Sequence, residues 1–356
     1  MRAVELQRFG GPAGLVLAER ADPEPGPGDV RVDLVAAALN HRDRWIRIGG
    51  KAELPAVLGS DGVGVVGAIG RDVDGVGEGD EVVINPALEW GGADEAPGPR
   101  FRILGVPDQG THAERIVVPA DHVRPRPERL SWIEAAALPL AGLTAWRAVV
   151  THAAAAPGRT ILVPGAGGGV ATFAIQLAAA LGARVVVTSG SGEKLERARM
   201  LGADDGADYG DEDWPEQVGP VDAVIDGVGA PVWAGALRAL RHGGRLVNFG
   251  DTARAEATVN LAAVFFKELR IQGTTMGSPR EFDALLAHVA EAAWRPVIDS
   301  VYPLAEAPAA HARLESRERF GKVVLAIDER RLQDERERKR RVPAGRRSAD
   351  VTELPG

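Results

Sequence analysis

The apolar positions of this chain change rhythm near residue 128. Before it they come in short runs separated by turn residues. Val30–Leu39, Gly62–Ile69 and Glu81–Ile84 are predicted strands, punctuated by Pro25-Gly26-Pro27-Gly28, by Gly70–Gly79 and by Asn85-Pro86. At Ser131-Trp132-Ile133-Glu134 the S-x-x-E spacing of a capping box opens a long Ala/Leu segment, interrupted at Pro139 and Gly142. Strands and helices then alternate. Thr160–Val163, Arg184–Thr188, Asp222–Asp226 and Arg245–Phe249 read as strands, with helices between them at Val170–Leu181, Glu193–Leu201 and Pro231–Leu240. Arg270–Gly273 is predicted as a further strand of this run. A helix at Pro279–Ala293 and strands near Val301 and at Lys322–Ile327 are expected to rejoin the first domain.

Short apolar strands alternating with amphipathic helices predict a parallel sheet covered on both faces. The expected architecture is therefore α/β. A doubly wound sheet of the Rossmann type spans 128–278, and a β-rich domain is assembled from 1–127 and 279–328. The tail, 329–356, mixes both charges densely with little to bury, and is expected to be a solvated helix end followed by disorder. A basic arm around Arg336–Arg347 is the alternative there.

Composition narrows the function. Among 356 residues, 50 acidic against 42 basic side chains leave a net charge of −8, which disfavours a nucleic-acid binder. There is no cysteine, hence no disulfide and no thiolate metal site. The opening Met1–Gly11 lacks the apolar core of a signal peptide, and no apolar run is long enough for a membrane span. A soluble cytoplasmic protein acting on a small molecule is expected, with no nucleic-acid or membrane partner.

The informative glycines follow the strand Thr160–Val163. Gly165, Gly168 and Ala171 have the spacing G-x-x-G-x-x-A, a variant of the dinucleotide fingerprint. Small residues make the turn tight and let the backbone approach a pyrophosphate, and Gly169 and Val170 open a helix whose free N–H groups face the phosphates. At the end of the second strand, about 20 residues on, an NAD site usually carries an acid. Here Val187-Thr188-Ser189-Gly190-Ser191 has none before Glu193. Ser189, Ser191 and Lys194 suit the 2′-phosphate of NADP(H), the expected cofactor; Arg197 is more simply a solvated helix residue. Gly227–Gly229, Phe249-Gly250, and Thr274, Thr275 and Gly277 follow further strands at the carboxyl edge of the sheet, where ligands lie in such folds.

The order of these parts resembles the medium-chain dehydrogenase/reductase superfamily, over about residues 1–328. Gly59-Ser60-Asp61-Gly62-Val63-Gly64, continued to Gly70 and Val73, matches the zinc alcohol dehydrogenase signature in every glycine, with Ser-Asp in place of His-Glu. Gly79-Asp80-Glu81-Val82 resembles a further family turn, and Pro157 through Gln176 is similar to the quinone oxidoreductase signature. The resemblance implies a GroES-like β-rich catalytic domain and a homodimer paired through the sheet edge at Arg270–Gly273.

It also implies where a catalytic zinc would be held. The matching positions are Asn40, Ser60 and about Leu140, and an amide, a hydroxyl and an alkyl group do not hold Zn²⁺. The lobe with four cysteines in zinc members falls near Asn85–Gly105, which has none. Asp61, His41 and His112 remain as conceivable ligands, without a linking spacing, and are expected in satisfied polar roles. The chain therefore reads as a zinc-free member, similar to quinone oxidoreductases and enoyl reductases, with no metal.

Asn40-His41-Arg42-Asp43 resembles the N-x-x-D stretch of such members. There Asn40 would orient substrate or cofactor and Asp43 would support it; a polar turn capping a helix at Arg42–Ile48 is the plainer reading. Thr144 matches a threonine facing the nicotinamide, or is a helix hydroxyl bonded to its own backbone. Asn40, Asp43 and Thr144 are thus the candidate catalytic residues. Tyr209 matches a position beside the adenosine, or packs in a core, and Lys322 resembles a position near the cofactor. The proton source is open among water, His41 and Lys51, and no tryptophan is assigned to the site. The implied activity is NADPH-dependent reduction of an activated C=C or quinone. Alternatives are a metal-dependent alcohol dehydrogenase and a non-catalytic NADPH-binding protein.

Overall fold

The computed structural model describes residues 1–50, 52–252 and 256–341. A six-stranded parallel sheet runs in the order Asp205–Ala207, Arg184–Thr188, Thr160–Pro164, Val221–Asp226, Leu240–Asn248 and Arg270–Gly273. Val185, Val186 and Val187 are fully buried in succession, as a strand covered on both faces requires. The chain leaves Thr160–Pro164 toward one side of the sheet and later returns on its other side. The carboxyl end of that strand is therefore the topological switch point, where a crevice opens.

The β-rich domain is built on a sheet ordered Val123–Pro125, Glu81–Ile84, Asp61–Ile69, Asp29–Ala38, Lys322–Ala326 and Ile298–Pro303, with Arg115–Pro119 also paired to Asp29–Ala38. Its register places the chemistry. Ala38 lies opposite both Asp61 and Val324 in antiparallel ladders, so the chain just past the end of Asp29–Ala38 runs between Asp61 and Lys322. Asn40 is held there.

Most expected elements are present within two residues of their bounds, apart from the strand Leu240–Asn248, which begins five residues before Arg245. Asp205–Ala207, too short and polar to stand out, brings the parallel sheet to six strands. The capping box forms, with Ser131 N donating to Glu134 at 2.7 Å. Pro139 does separate two helices, Trp132–Ala137 and Pro139–Trp146, but Gly142 interrupts nothing. It sits inside the second helix, where an added Cβ would lie 2.8 Å from Leu138 and 3.2 Å from Leu285. Leu285 belongs to the helix Pro279–Glu291, which packs against Pro139–Trp146 and also buries Phe282 and Val289.

The charged tail corrects another expectation. Glu329–Arg341 is a helix anchored to the body: Leu332 is buried in the main core, and Glu335 accepts from Trp132 N at 3.3 Å. One leucine and one tethered carboxylate suffice for this. The disorder expected further on, and most of the basic arm to Arg347, lie outside the described residues.

Candidate active site

The switch point opens into a cleft of about 1000 Å³ between the parallel sheet and the β-rich domain. At its floor on the β-rich side, three strand ends converge. Lys322 Nζ donates to Asp61 Oδ2 at 2.9 Å, to Asn40 Oδ1 at 2.6 Å and to Leu39 O at 2.9 Å. Asp61 also accepts from Asn40 Nδ2 at 2.9 Å and Leu140 N at 2.7 Å. Asp61 is fully buried and Lys322 nearly so. Burial pushes the Asp61 carboxyl above the ordinary aspartate value, against the pull of the Lys322 ammonium and the other donors.

On the sheet side lies the glycine turn. Gly165 has φ +71°, open to glycine at no steric cost. A Cβ at Gly167 would lie 3.0 Å from Arg319 O and 3.1 Å from Lys194 Nζ. The turn thus leaves a side-chain-free approach to the start of the twelve-residue helix Gly169–Ala180. Its first N–H groups have no intrahelical acceptor and mark an anion site. Ser189 and Ser191 end the neighbouring strand, and Ser191 caps the next helix by accepting from Lys194 N at 3.4 Å. Lys194 Nζ donates to Arg317 O at 2.5 Å, which ties this corner to the β-rich domain. A ligand with a dinucleotide's phosphates fits this cradle: small residues, free N–H groups, hydroxyls and cations in one line.

Of the residues singled out from the sequence, Asn40, Thr144, Gly165, Gly168, Gly169, Val170, Ser189, Ser191, Lys194, Tyr209, Gly227, Phe249, Gly250 and Lys322 all line the cleft. Tyr209 is 48% exposed with its hydroxyl over Gly190, so it is not a core residue. Asn40 precedes the helix His41–Arg47 and lines the cleft. Thr144 lines the cleft while its hydroxyl donates to its own helix at Leu140 O, 2.7 Å away.

Two candidates do not reach the cleft. Asp43 is fully buried behind Asn40, where its carboxylate accepts from Asn40 N at 2.7 Å and Gly59 N at 3.1 Å. It positions the turn and touches no ligand. Thr274 is turned away with its hydroxyl unpartnered, and the cleft is lined instead by Thr275 and Met276. These residues follow the strand Arg270–Gly273, so the path of the loop, with Met276 at φ +47°, decides which side chains face the cleft.

The site also contains residues that sequence reasoning missed. Trp45, which was not assigned to the site, and Ile103 line it, as does the segment carrying Glu315, Arg317 and Arg319. That segment follows the helix Ala307–Glu315 without a local motif. Only the return of the chain beside Gly167 brings it in.

Burial pushes the histidines in and near the site below the ordinary imidazole value. Burial, with Arg319 and Arg44 nearby, lowers His41 to about 4, so it stores no proton near pH 7. His112 was expected to be satisfied, but neither of its ring nitrogens has a partner among the described residues. It packs edge-on against His311 at 5.6 Å, equally unpartnered, and burial lowers both. Lys51 lies outside the described residues. Among the described residues no three His, Asp or Glu side chains are grouped to hold a metal, and no helix is long and apolar enough to cross a membrane.

Comparison with known proteins agrees with this architecture. Residues 26–128 match the alcohol dehydrogenase GroES-like domain, and residues 169–291 match the zinc-binding dehydrogenase family. The zinc-type alcohol dehydrogenase-like protein YogA of Leptosphaeria maculans is 35% identical over 331 residues, covering 86% of this chain and 92% of that one. The quinone oxidoreductase of Pseudomonas aeruginosa is 31% identical, covering 91% and 99%. A crystal structure of an NAD-dependent alcohol dehydrogenase superposes with a TM-score of 0.87 at 44% identity, covering 92% and 99%. A GroES-like domain joined to a Rossmann sheet, with a dinucleotide cradle at the switch point between them, places this chain in the medium-chain dehydrogenase/reductase superfamily of nicotinamide-dependent oxidoreductases.

Proposed function

We propose that this chain is an NADPH-dependent reductase of activated C=C bonds or quinones that works without zinc. The carrying observation is the Asn40–Asp61–Lys322 network. At the place of a catalytic metal, the one carboxylate is already neutralised by an ammonium 2.9 Å away. Ser60 is fully buried, donating to Leu104 O at 2.6 Å, and Leu140 offers only its N–H and an alkyl group. A dication there would face the Lys322 charge at low dielectric, and the residues do not fit it.

NADPH supplies a hydride to the β-carbon of an enone, and a proton at the α-carbon completes the two-electron reduction to the saturated ketone and NADP⁺. The chain's own residues bind and orient. Gly165, Gly168, Gly169 and Val170 admit the pyrophosphate, while Ser189, Ser191 and Lys194 take the 2′-phosphate. Tyr209 covers the adenosine end, and Gly227, Phe249 and Gly250 border the middle of the cofactor. Lys322 has all three N–H groups engaged, so it fixes charge and geometry beside Asn40. Asn40 retains one N–H and one lone pair for ligand, and Thr144 retains oxygen lone pairs. With His41 neutral, the proton comes from water or from Lys51.

Two copies pair through the sheet edge. Arg270–Gly273 is the terminal strand with Ile271 41% exposed, and the adjacent helix Leu261–Phe266 leaves Leu261, Phe265 and Phe266 between 63% and 73% exposed. An open edge beside bare apolar residues favours a symmetric dimer.

The test is NADPH oxidation against quinones, enones and enoyl thioesters, with and without a chelator. Turnover indifferent to chelator is expected. Loss of activity restored by zinc, or alcohol oxidation with NAD⁺ alone, overturns this reading in favour of an alcohol dehydrogenase. Tight NADPH binding without turnover of any electrophile makes the protein a non-catalytic binder.

A further inference from the structure

Beside Asn40 the cleft is also lined by Arg42, Trp45, Ile103 and Leu140. Three of these walls are mainly apolar and one is a guanidinium. On the β-rich side of the cleft Lys322 is paired with Asp61 and Glu315 with Arg44 and Arg47, while Arg317 and Arg319 lie beside the glycine turn and Lys194. Arg42 makes no ion pair among the described residues. The acids whose field reaches it are engaged elsewhere, Asp43 with Asn40 N and Gly59 N, and Asp108 with Arg102.

Its hydrogen bonds are also incomplete. Both leave from Nη2, to Val106 O at 2.7 Å and Ile103 O at 3.2 Å. Nη1 is shut off from water without an acceptor, and Nε has none among the described residues. A guanidinium stays charged at any working pH, so this side chain cannot relieve its position by losing a proton. The two carbonyls hold it in place while leaving its charge unanswered. Nη1, being sealed, meets no ligand, but a half-buried, pre-oriented cation whose Nε has no partner on a cleft wall is a receptor for an anionic oxygen.

We propose that Arg42 receives a carboxylate of the substrate, which makes the substrate class an unsaturated keto acid or a related acid whose apolar part lies against Trp45, Ile103 and Leu140. This rests on the reductase reading for the reaction itself, but the recognition is separable from turnover. Arg42 is then a specificity-determining residue for the acidic end of the substrate.

Calorimetry on the protein saturated with NADP⁺ tests it, with a saturated 4-oxoalkanoic acid and its methyl ester as probes. The acid is expected to bind wild type about ten- to a hundredfold more tightly than the ester, the range of a charge-assisted contact. In Arg42→Met the ratio falls toward one, and Arg42→Lys, which keeps the charge and holds the fold if methionine does not, retains part of it. Equal binding of acid and ester by wild type, or an unchanged ratio in Arg42→Met, overturns the proposal. NADPH oxidation with the matching 4-oxo-2-alkenoic acid and ester is followed alongside. If neither enone is turned over while the acid still binds preferentially, the reductase reading fails and the carboxylate site stands. Turnover of both at equal kcat/KM, with equal binding, has the opposite meaning.

Discussion

Breaking the Asp61–Lys322 pair one partner at a time should be far costlier than removing it whole. Lys322→Met leaves a fully buried carboxylate with Asn40 Nδ2 and Leu140 N as its donors. An uncompensated buried charge of this kind costs about 3–5 kcal/mol. Asp61→Asn strands the ammonium with the carbonyls of Leu39 and Asn40 and should cost a similar amount, at the lower end, because the new amide can still accept one bond. For a domain of ordinary size this lowers Tm by roughly 6–20 °C. The double variant removes both charges. Its cost should fall short of the sum of the singles by at least about 2 kcal/mol. Thermal and denaturant unfolding of the four proteins measures this.

The pH dependence adds a second reading. Burial already raises the Asp61 carboxyl, and Lys322→Met removes the charge that opposes this. A folded-state pKa above the unfolded one contributes stability at low pH that is lost as pH rises through the folded value. The penalty of Lys322→Met should therefore shrink as pH falls from 7 toward 5. Single variants costing under about 1 kcal/mol, or a double variant that is simply additive, would refute the argument. Asp61 would then be free to serve as a metal ligand, and the zinc-free proposal would lose its footing.

The remaining predictions concern cofactor and assembly. Lys194→Ala should weaken NADPH by about ten- to a hundredfold and NADH less, by fluorescence titration. Equal losses would assign the ammonium to the pyrophosphate beside Gly167 instead. Ser189→Asp should invert the preference toward NADH, because an acid there repels a phosphate and holds a ribose hydroxyl; continued selectivity for NADPH would remove Ser189 from that subsite. Wild type should be a dimer by light scattering at micromolar concentration, and Phe266→Asp, at a side chain 73% exposed in the single chain, should shift it to monomer with little change in its own unfolding. A wild-type monomer rules out the edge pairing.

What the sequence determined is local. The Gly165–Val170 turn, the capping box at Ser131, the buried run of valines at 185–187 and the break at Pro139 are each written within a few neighbouring residues. The physics that shapes them, backbone freedom, capping and periodicity of burial, acts over the same few residues. The absence of cysteine and the Ser-Asp pair at 60–61 were likewise legible as a departure from zinc chemistry. Which side chains would meet was not. Lys322 and Asp61 are 261 positions apart, and antiparallel register alone brings them to 2.9 Å. The loop after Arg270–Gly273 left Thr274 out of the cleft while Thr275 lines it, packing hid Asp43 behind Asn40, and the chain's return beside Gly167 delivered Arg317 and Arg319. Arg42 looked like one more residue in a short helix. Its importance arises from what surrounds it, two carbonyls from residues 61 and 64 positions away and no carboxylate, because the compensation of a charge is decided by distances in space that no spacing along the chain encodes.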